Sequence, residues 1–192
     1  MIKAKGNIKA VGNQVRQRLV HCPNKGIVMK AALLIIDVQK EPLKTDSIAS
    51  QSIKKAIECI NSAIGLFRNK GLPIIGIQLI KEEEHLVPGL DGFEIPETVN
   101  ILPSDIRIQK THGNAFIKTG LQGILQEKNI NTLILTGYSA EYCVLSTYRG
   151  ARDLDLNPVI LRNSIASENP DNIKFVENIC EIVSLGALEN LL

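Results

Sequence analysis

The 192-residue sequence predicts an α/β fold, a three-layer, doubly wound, mostly parallel sheet with helices on both faces. Two observations predict it. Short apolar runs rich in Ile, Leu and Val alternate along the chain with segments whose apolar residues recur at helical spacing. Several runs are apolar at consecutive positions, the pattern of strands buried on both faces, and parallel strands need the crossover helices that lie between them.

Ala31 to Val38, AALLIIDV, is the first predicted strand. Ile53, Ile57, Ile60, Ile64 and Phe67 then follow the period of a helix, which Gly71 and Pro73 close. Leu72 to Ile80 makes the second strand and Asp105 to Gln109 the third. Between them Lys81 to Pro103 is the longest irregular stretch, and its Pro, Gly and acidic residues suit a loop over a site. Leu121, Ile124 and Leu125 mark a helix before a fourth strand at Thr132 to Thr136. That β-branched run breaks at Gly137, and a helical pattern begins near Ala140. A strand at Pro158 to Leu161, a short helix near Asp171 to Asn178, a strand at Glu181 to Leu185 and a terminal helical turn follow. No repeat, low-complexity tract or linker divides the chain, whose length suits one domain.

Charge is distributed unevenly. Residues 1–30 hold Lys3, Lys5, Lys9, Arg16, Arg18, Lys25 and Lys30 and no acid; subtracting these seven from the net +2 leaves −5 for residues 31–192. Such an arm could meet nucleic acid, but Gly6, Gly12, Pro23 and Gly26 interrupt it and it has no aromatic residue, so no nucleic-acid partner is expected. Residues 1–28 are expected to be a loosely ordered basic extension, with the folded domain at 29–192, beginning at Met29. No apolar run approaches the roughly 18 residues that span a bilayer, and no apolar signal segment opens the chain, so a cytoplasmic protein without membrane association is expected. Cys22, Cys59, Cys143 and Cys180 are too scattered for a disulfide framework and include no CxxC pair.

In a doubly wound sheet ligands bind outside the carboxyl ends of the strands. Asp37 ends the first strand, Lys110 ends the third and Cys143 follows the fourth, so three separated positions converge on one crevice. Each has a bland alternative: Asp37 as a cap, Lys110 as a solvated surface lysine, Cys143 as a small core residue. At the first turn of a helix, however, a thiol meets unpaired N–H groups and the positive end of the dipole, which favours the thiolate. Cys143 is therefore a candidate nucleophile. GxGxxG, GxxxxGK[ST] and GxSxG are all absent, which disfavours dinucleotide, P-loop and serine-hydrolase chemistry. Of His21, His85 and His112, only His112, two residues beyond Lys110, is placed for a Cys-His pair.

The stretches LLIIDVQ, QKTHGNAF with its isolated lysine, and LILTGYSAEYCVLSTYRGA resemble the isochorismatase-like cysteine hydrolases, which include nicotinamidases and N-carbamoylsarcosine amidohydrolases. The resemblance covers residues 31 to about 187. It implies the isochorismatase-like hydrolase fold and a catalytic triad of Asp37, Lys110 and Cys143. The implied reaction is hydrolysis through a covalent thioester, most often at a small amide or related C–N bond. It further implies an oxyanion hole from the backbone N–H groups of Tyr142 and Cys143, a cis peptide between Tyr138 and Ser139, and a homo-oligomer acting on a small-molecule substrate. Gln39 and Phe116, inside the same motifs, are candidate substrate contacts.

Departures from the family pattern narrow these expectations. Nicotinamidase-like members bear an Asp-x-His metal motif after the first strand and another histidine near the second, whereas residues 42–52 contain no histidine and His85 stands alone. No metal or other cofactor is expected. Pro42 and Leu43 replace the aromatic residue common after the Asp-x-Gln motif, which weakens the case for an aromatic-ring substrate. True isochorismatases lack the nucleophilic cysteine, so that activity is disfavoured. The alternative from another class is a catalytically silent interaction protein on the same fold; intact Asp37, Lys110 and Cys143 favour the hydrolase.

Overall fold

A computed structural model of the chain describes residues 29–192; the expected basic extension, residues 1–28, lies outside them. The strands are β1 (Ala31–Ile36), β2 (Ile74–Leu79), β3 (Ile106–Lys110), β4 (Thr132–Tyr138), β5 (Asn157–Ala166) and β6 (Ile182–Val183). The helices are α1 (Ile48–Asn69), α2 (Leu121–Glu127), α3 (Leu145–Asp153), α4 (Pro170–Ile179) and α5 (Leu185–Leu191). The strands form one sheet in the order β3-β2-β1-β4-β5-β6, every pairing parallel.

β1 shows why its run of apolar residues is continuous. All six side chains are buried, and because strand residues alternate between faces they feed two cores. Ala31, Leu33 and Ile35 pack with Ile53, Ile60 and Ile64 of α1 and Leu188 of α5. Ala32, Leu34 and Ile36 pack with Leu121 and Leu125 of α2, Tyr148 of α3 and Val176 of α4. Each fully buried Leu or Ile contributes about 1.5–3 kcal/mol relative to exposure, so central β1 anchors both layers. The three-layer arrangement follows. α1 starts where Ser47 Oγ accepts the Ser50 N–H at 3.1 Å, and ends before Gly71, whose φ of +65° lets the chain reverse toward β2.

Several boundaries differ from the sequence expectation. β1 stops at Ile36, because Asp37 takes a left-handed φ of +52°. β5 runs on past Leu161 to Ala166: Arg162 and Asn163 are exposed in a bulge, with Asn163 at a φ of +64°, before Ile165 pairs with Gly137. β6 is only Ile182–Val183, since Ser184 already caps α5 by accepting the Ala187 N–H.

Gly137 opposes Ile36 across the β1–β4 pair, with a φ of +116°. A Cβ there would stand 2.0 Å from the Ile36 carbonyl oxygen and 2.7 Å from its nitrogen. Backbone cannot step aside as a side chain can. Gly137→Ala is therefore expected to cost roughly 2–4 kcal/mol, combining overpacking with a disfavoured φ. A urea midpoint within error of wild type would show that the pair relaxes freely.

Strand order reverses about β1, with β2 and β3 on one side and β4 to β6 on the other, and the crevice opens at that switch point beyond the carboxyl ends.

Candidate active site

The three strands deliver Asp37, Lys110 and Cys143 to one point. β1 continues one bond past its last residue, for the Asp37 N–H donates to the Ile77 carbonyl at 2.9 Å, and the left-handed turn at Asp37 follows. Aspartate is among the few non-glycine types that tolerate this conformation. On β3, alternation puts Lys110 on the same buried face as Ile108. Lys110 is 2% exposed, which removes the solvated-lysine alternative. Its Nζ donates to Asp37 Oδ2 at 2.6 Å and to Cys143 Sγ at 3.2 Å. Asp37 Oδ1 is buried without a hydrogen-bond partner.

After β4 the Tyr138–Ser139 peptide is cis. The expected helical first turn is instead a π-helical turn, Ala140–Val144, continuous with α3. It fixes Cys143, which is 8% exposed, at the crevice floor. The Tyr142 N–H, expected as an oxyanion donor, is engaged within this turn with the Ser139 carbonyl at 3.1 Å, and the Val144 N–H reaches the same oxygen at 3.2 Å.

Electrostatics correct the expectation of a resting thiolate. The Cys143 thiol is pushed up to about 12, first by burial and then by the negative charge of Asp37, against the pull of Lys110. Burial also lifts the Asp37 carboxyl above its ordinary value, opposed by the Lys110 ammonium bonded to it and by the neighbouring Cys143 thiol. Desolvation disfavours both anions. The resting group is a thiol beside a carboxylate whose proton affinity is enhanced.

The crevice encloses about 920 Å³. Its walls include Glu41 and Pro42 before α1, Lys81 and Glu84 in the loop after β2, and Tyr142 and Glu168. Gln39 also lines it, but its amide is occupied: Nε2 donates to the carbonyls of Leu79 (3.1 Å) and Phe93 (2.9 Å), and Oε1 accepts the Leu79 N–H (2.9 Å). It braces the long loop. Phe116 packs half-buried on the core cluster shared by α2 and α3 and is not among the lining residues. His112 is exposed and bonded to Thr111, and His85 is exposed at the end of a 3-10 turn; neither lines the crevice. Among the described residues no three His, Cys, Asp or Glu side chains are grouped to hold a metal ion, so the residues present do not fit a nicotinamidase-like metal site.

Sequence reasoning passed over Glu141. Two residues before Cys143, its carboxylate accepts hydrogen bonds from Ser139 Oγ (2.7 Å), Ser167 Oγ (2.8 Å) and Asn172 Nδ2 (2.7 Å), tying the turn that carries Cys143 to the β5–α4 connection and α4. An acidic residue next to an exposed tyrosine carries no sequence signal of such a network. Among the described residues no helix is long and apolar enough to cross a membrane.

Comparison with known proteins places this geometry among hydrolases. The isochorismatase domain model matches residues 31–177. An isochorismatase family protein of Bacillus subtilis is 31% identical over 140 residues, covering 72% of this chain and 74% of its own. A ureidoacrylate amidohydrolase of Caulobacter vibrioides is 28% identical over 89 residues, 46% of this chain and 40% of its own. N-carbamoylsarcosine amidase from Thermoplasma acidophilum superimposes with a TM-score of 0.72 at 22% identity, covering 82% of this chain and 97% of that one, a likeness of fold.

Proposed function

The chain belongs to the isochorismatase family of hydrolases, and from that premise we propose that it cleaves a small amide-like C–N bond through a covalent thioester on Cys143, with Asp37 and Lys110 as catalytic partners. The observation that carries this reading is the single ammonium of Lys110 shared between Asp37 and Cys143 in a buried floor, with Asp37 Oδ1 left free of partners.

The thiol is protonated at rest, so its proton moves to Asp37 Oδ1 as sulfur attacks the carbonyl carbon. A carboxyl raised toward neutrality is better matched to that transfer than an ordinary one. The oxyanion that develops is received by the Cys143 N–H; Tyr142, whose N–H serves its own turn, is at most a second donor. Asp37 then returns the proton to the leaving nitrogen as the C–N bond breaks, releasing the amine and leaving the thioester. Water attacks the thioester with Asp37 again as base, freeing the acid product and the thiol. Lys110 keeps Asp37 ionised and oriented between steps. The substrate is a small molecule, and its binding groups come from the crevice walls.

A panel of small amides, ureas and carbamates assayed for ammonia release tests this, with intact-mass analysis of acid-quenched protein for an acyl group on Cys143. At least one member is expected to turn over, and the rate is expected to survive dialysis against EDTA. No ammonia from any member and no adduct would favour the silent interaction protein; a rate lost to EDTA and restored by zinc, iron or manganese would return metal-dependent chemistry.

A further inference from the structure

The crevice walls carry charge that no ion pair among the described residues neutralises. Of four lining glutamates, Glu41 pairs with Lys44 at 2.6 Å and Glu84 with Lys81. Glu141 and Glu168 have no Lys, Arg or His ion-pair partner among the described residues. Burial acts to raise the Glu141 carboxyl, but its hydrogen bonds from Ser139, Asn172 and Ser167 and a backbone bond hold it below its ordinary range, so it is anionic at neutral pH. Glu168 Oε1 accepts the Tyr138 hydroxyl at 3.2 Å. Among the described residues the one lysine lining the space, Lys81, is engaged with Glu84, and Lys110, fully buried behind the lining, lies against Asp37. Among the described residues no arginine lines the crevice. At its floor the buried, unpartnered Asp37 Oδ1 adds a further acceptor, and at its mouth Tyr142, 69% exposed, offers an aromatic face.

We propose that the substrate carries a positive charge, an ammonium or amidinium a few bonds from the scissile carbonyl, held by Glu141 and Glu168 and approached by the ring of Tyr142. The same walls reject a carboxylate-bearing substrate, because among the described residues no unpaired cation lines the crevice and like charges would be brought together in a partly desolvated space. The bond cleaved rests on the hydrolase reading above; the charge preference rests only on the walls. Glu141 also braces the nucleophile turn, and a purely structural role would slow reagents of every charge alike. A recognition role moves cations and anions in opposite directions.

Two measurements separate these. The first reads the field at Cys143 without turnover: the full chain is treated with aminoethyl (cationic), methyl (neutral) and sulfonatoethyl (anionic) methanethiosulfonate, and modification of the Cys143 peptide is followed by mass spectrometry. The cation-to-anion rate ratio, divided by that for mercaptoethanol, is expected to be about tenfold or more and to fall as salt is added. Glu141→Gln with Glu168→Gln should bring it near one, and Glu168→Gln alone, at an exposed position, should lower it several-fold with the neutral reagent's rate unchanged. The second compares ammonia release from β-alaninamide, butanamide and succinamate, which place an ammonium, a methyl or a carboxylate at the same distance from the amide, with rates expected in that order. A ratio of one in wild type, a ratio that neither variant lowers, or failure of the cationic reagent to reach Cys143 would overturn the proposal. Silence of all three amides with the ratio intact would count against the hydrolase reading and leave the charge preference standing.

Discussion

Cys143→Ala is expected to abolish turnover, by roughly 10⁴-fold or more, while the protein stays folded. The sulfur is the only heavy atom lost. The residue is 8% exposed at a crevice floor rather than deep in a layer, so the void left is small and opens onto the cavity. Stability should change by about 1–2 kcal/mol at most, well under the cost of truncating a large core side chain. Asp37→Asn supplies the matched control. It keeps the shape and removes the proton acceptor, and since general bases are typically worth about 10²- to 10⁴-fold, it should retain less than about one per cent of the rate. Turnover that persists in Cys143→Ala, measured by ammonia release beside an unchanged melting curve, would end the covalent mechanism.

Removing Lys110 should have the largest combined effect on stability and activity. Its ammonium is fully buried against an almost fully buried carboxylate, and breaking such a pair from one side typically costs about 3–5 kcal/mol. Lys110→Met keeps much of the stem's volume and isolates the charge, whereas Lys110→Ala adds a cavity. Either variant leaves Asp37 to face burial alone. The carboxyl is already raised above its ordinary 3.8 in the folded protein, so its stabilising contribution is complete at pH values below 3.8 and is lost as pH rises through the folded value. Without Lys110 the folded value climbs further. The deficit of the variant relative to wild type should therefore be greatest at pH values above the folded value and shrink as pH falls through it, opposite to the usual acid lability of a salt bridge. Alkylation of Cys143 should also shift to higher pH, because the Lys110 ammonium that lowers its pKa is gone. Melting and alkylation profiles that superimpose on wild type at every pH would mean that Lys110 neither holds Asp37 nor acts on the thiol.

The strands were legible because their hydrophobic runs are unbroken. Ala31–Ile36 and Thr132–Thr136 are buried on both faces, and runs of consecutive apolar residues this short, bounded by turn and breaker residues, suit buried strands. Placement of Asp37, Lys110 and Cys143 in one crevice was legible for the same reason, since parallel strands end on one edge. Three features were not. The extension of β5 was hidden by Arg162 and Asn163, whose polarity reads as a loop although a bulge carries them outward. The ionisation of Cys143 depends on how deeply a tertiary fold buries it, and local sequence reports only the helix that follows. The bonds from Ser167 and Asn172 to Glu141 join segments about 30 residues apart, and nothing in either segment announces the other.

The middle of the sheet has a consequence for how the chain is made. Thr136 Oγ1 reaches the Leu34 carbonyl across 102 positions of sequence, and every residue of β1 waits for a partner in β4. Until residues 132–138 leave the ribosome, β1 can pair only with β2, and Ala31–Ile36 presents one unsatisfied, wholly apolar edge. Closing so long a loop is slow. Cys143 lies just past β4, so the pairing that covers this edge of β1 and the step that brings Cys143 to the crevice lined by Asp37 are completed together.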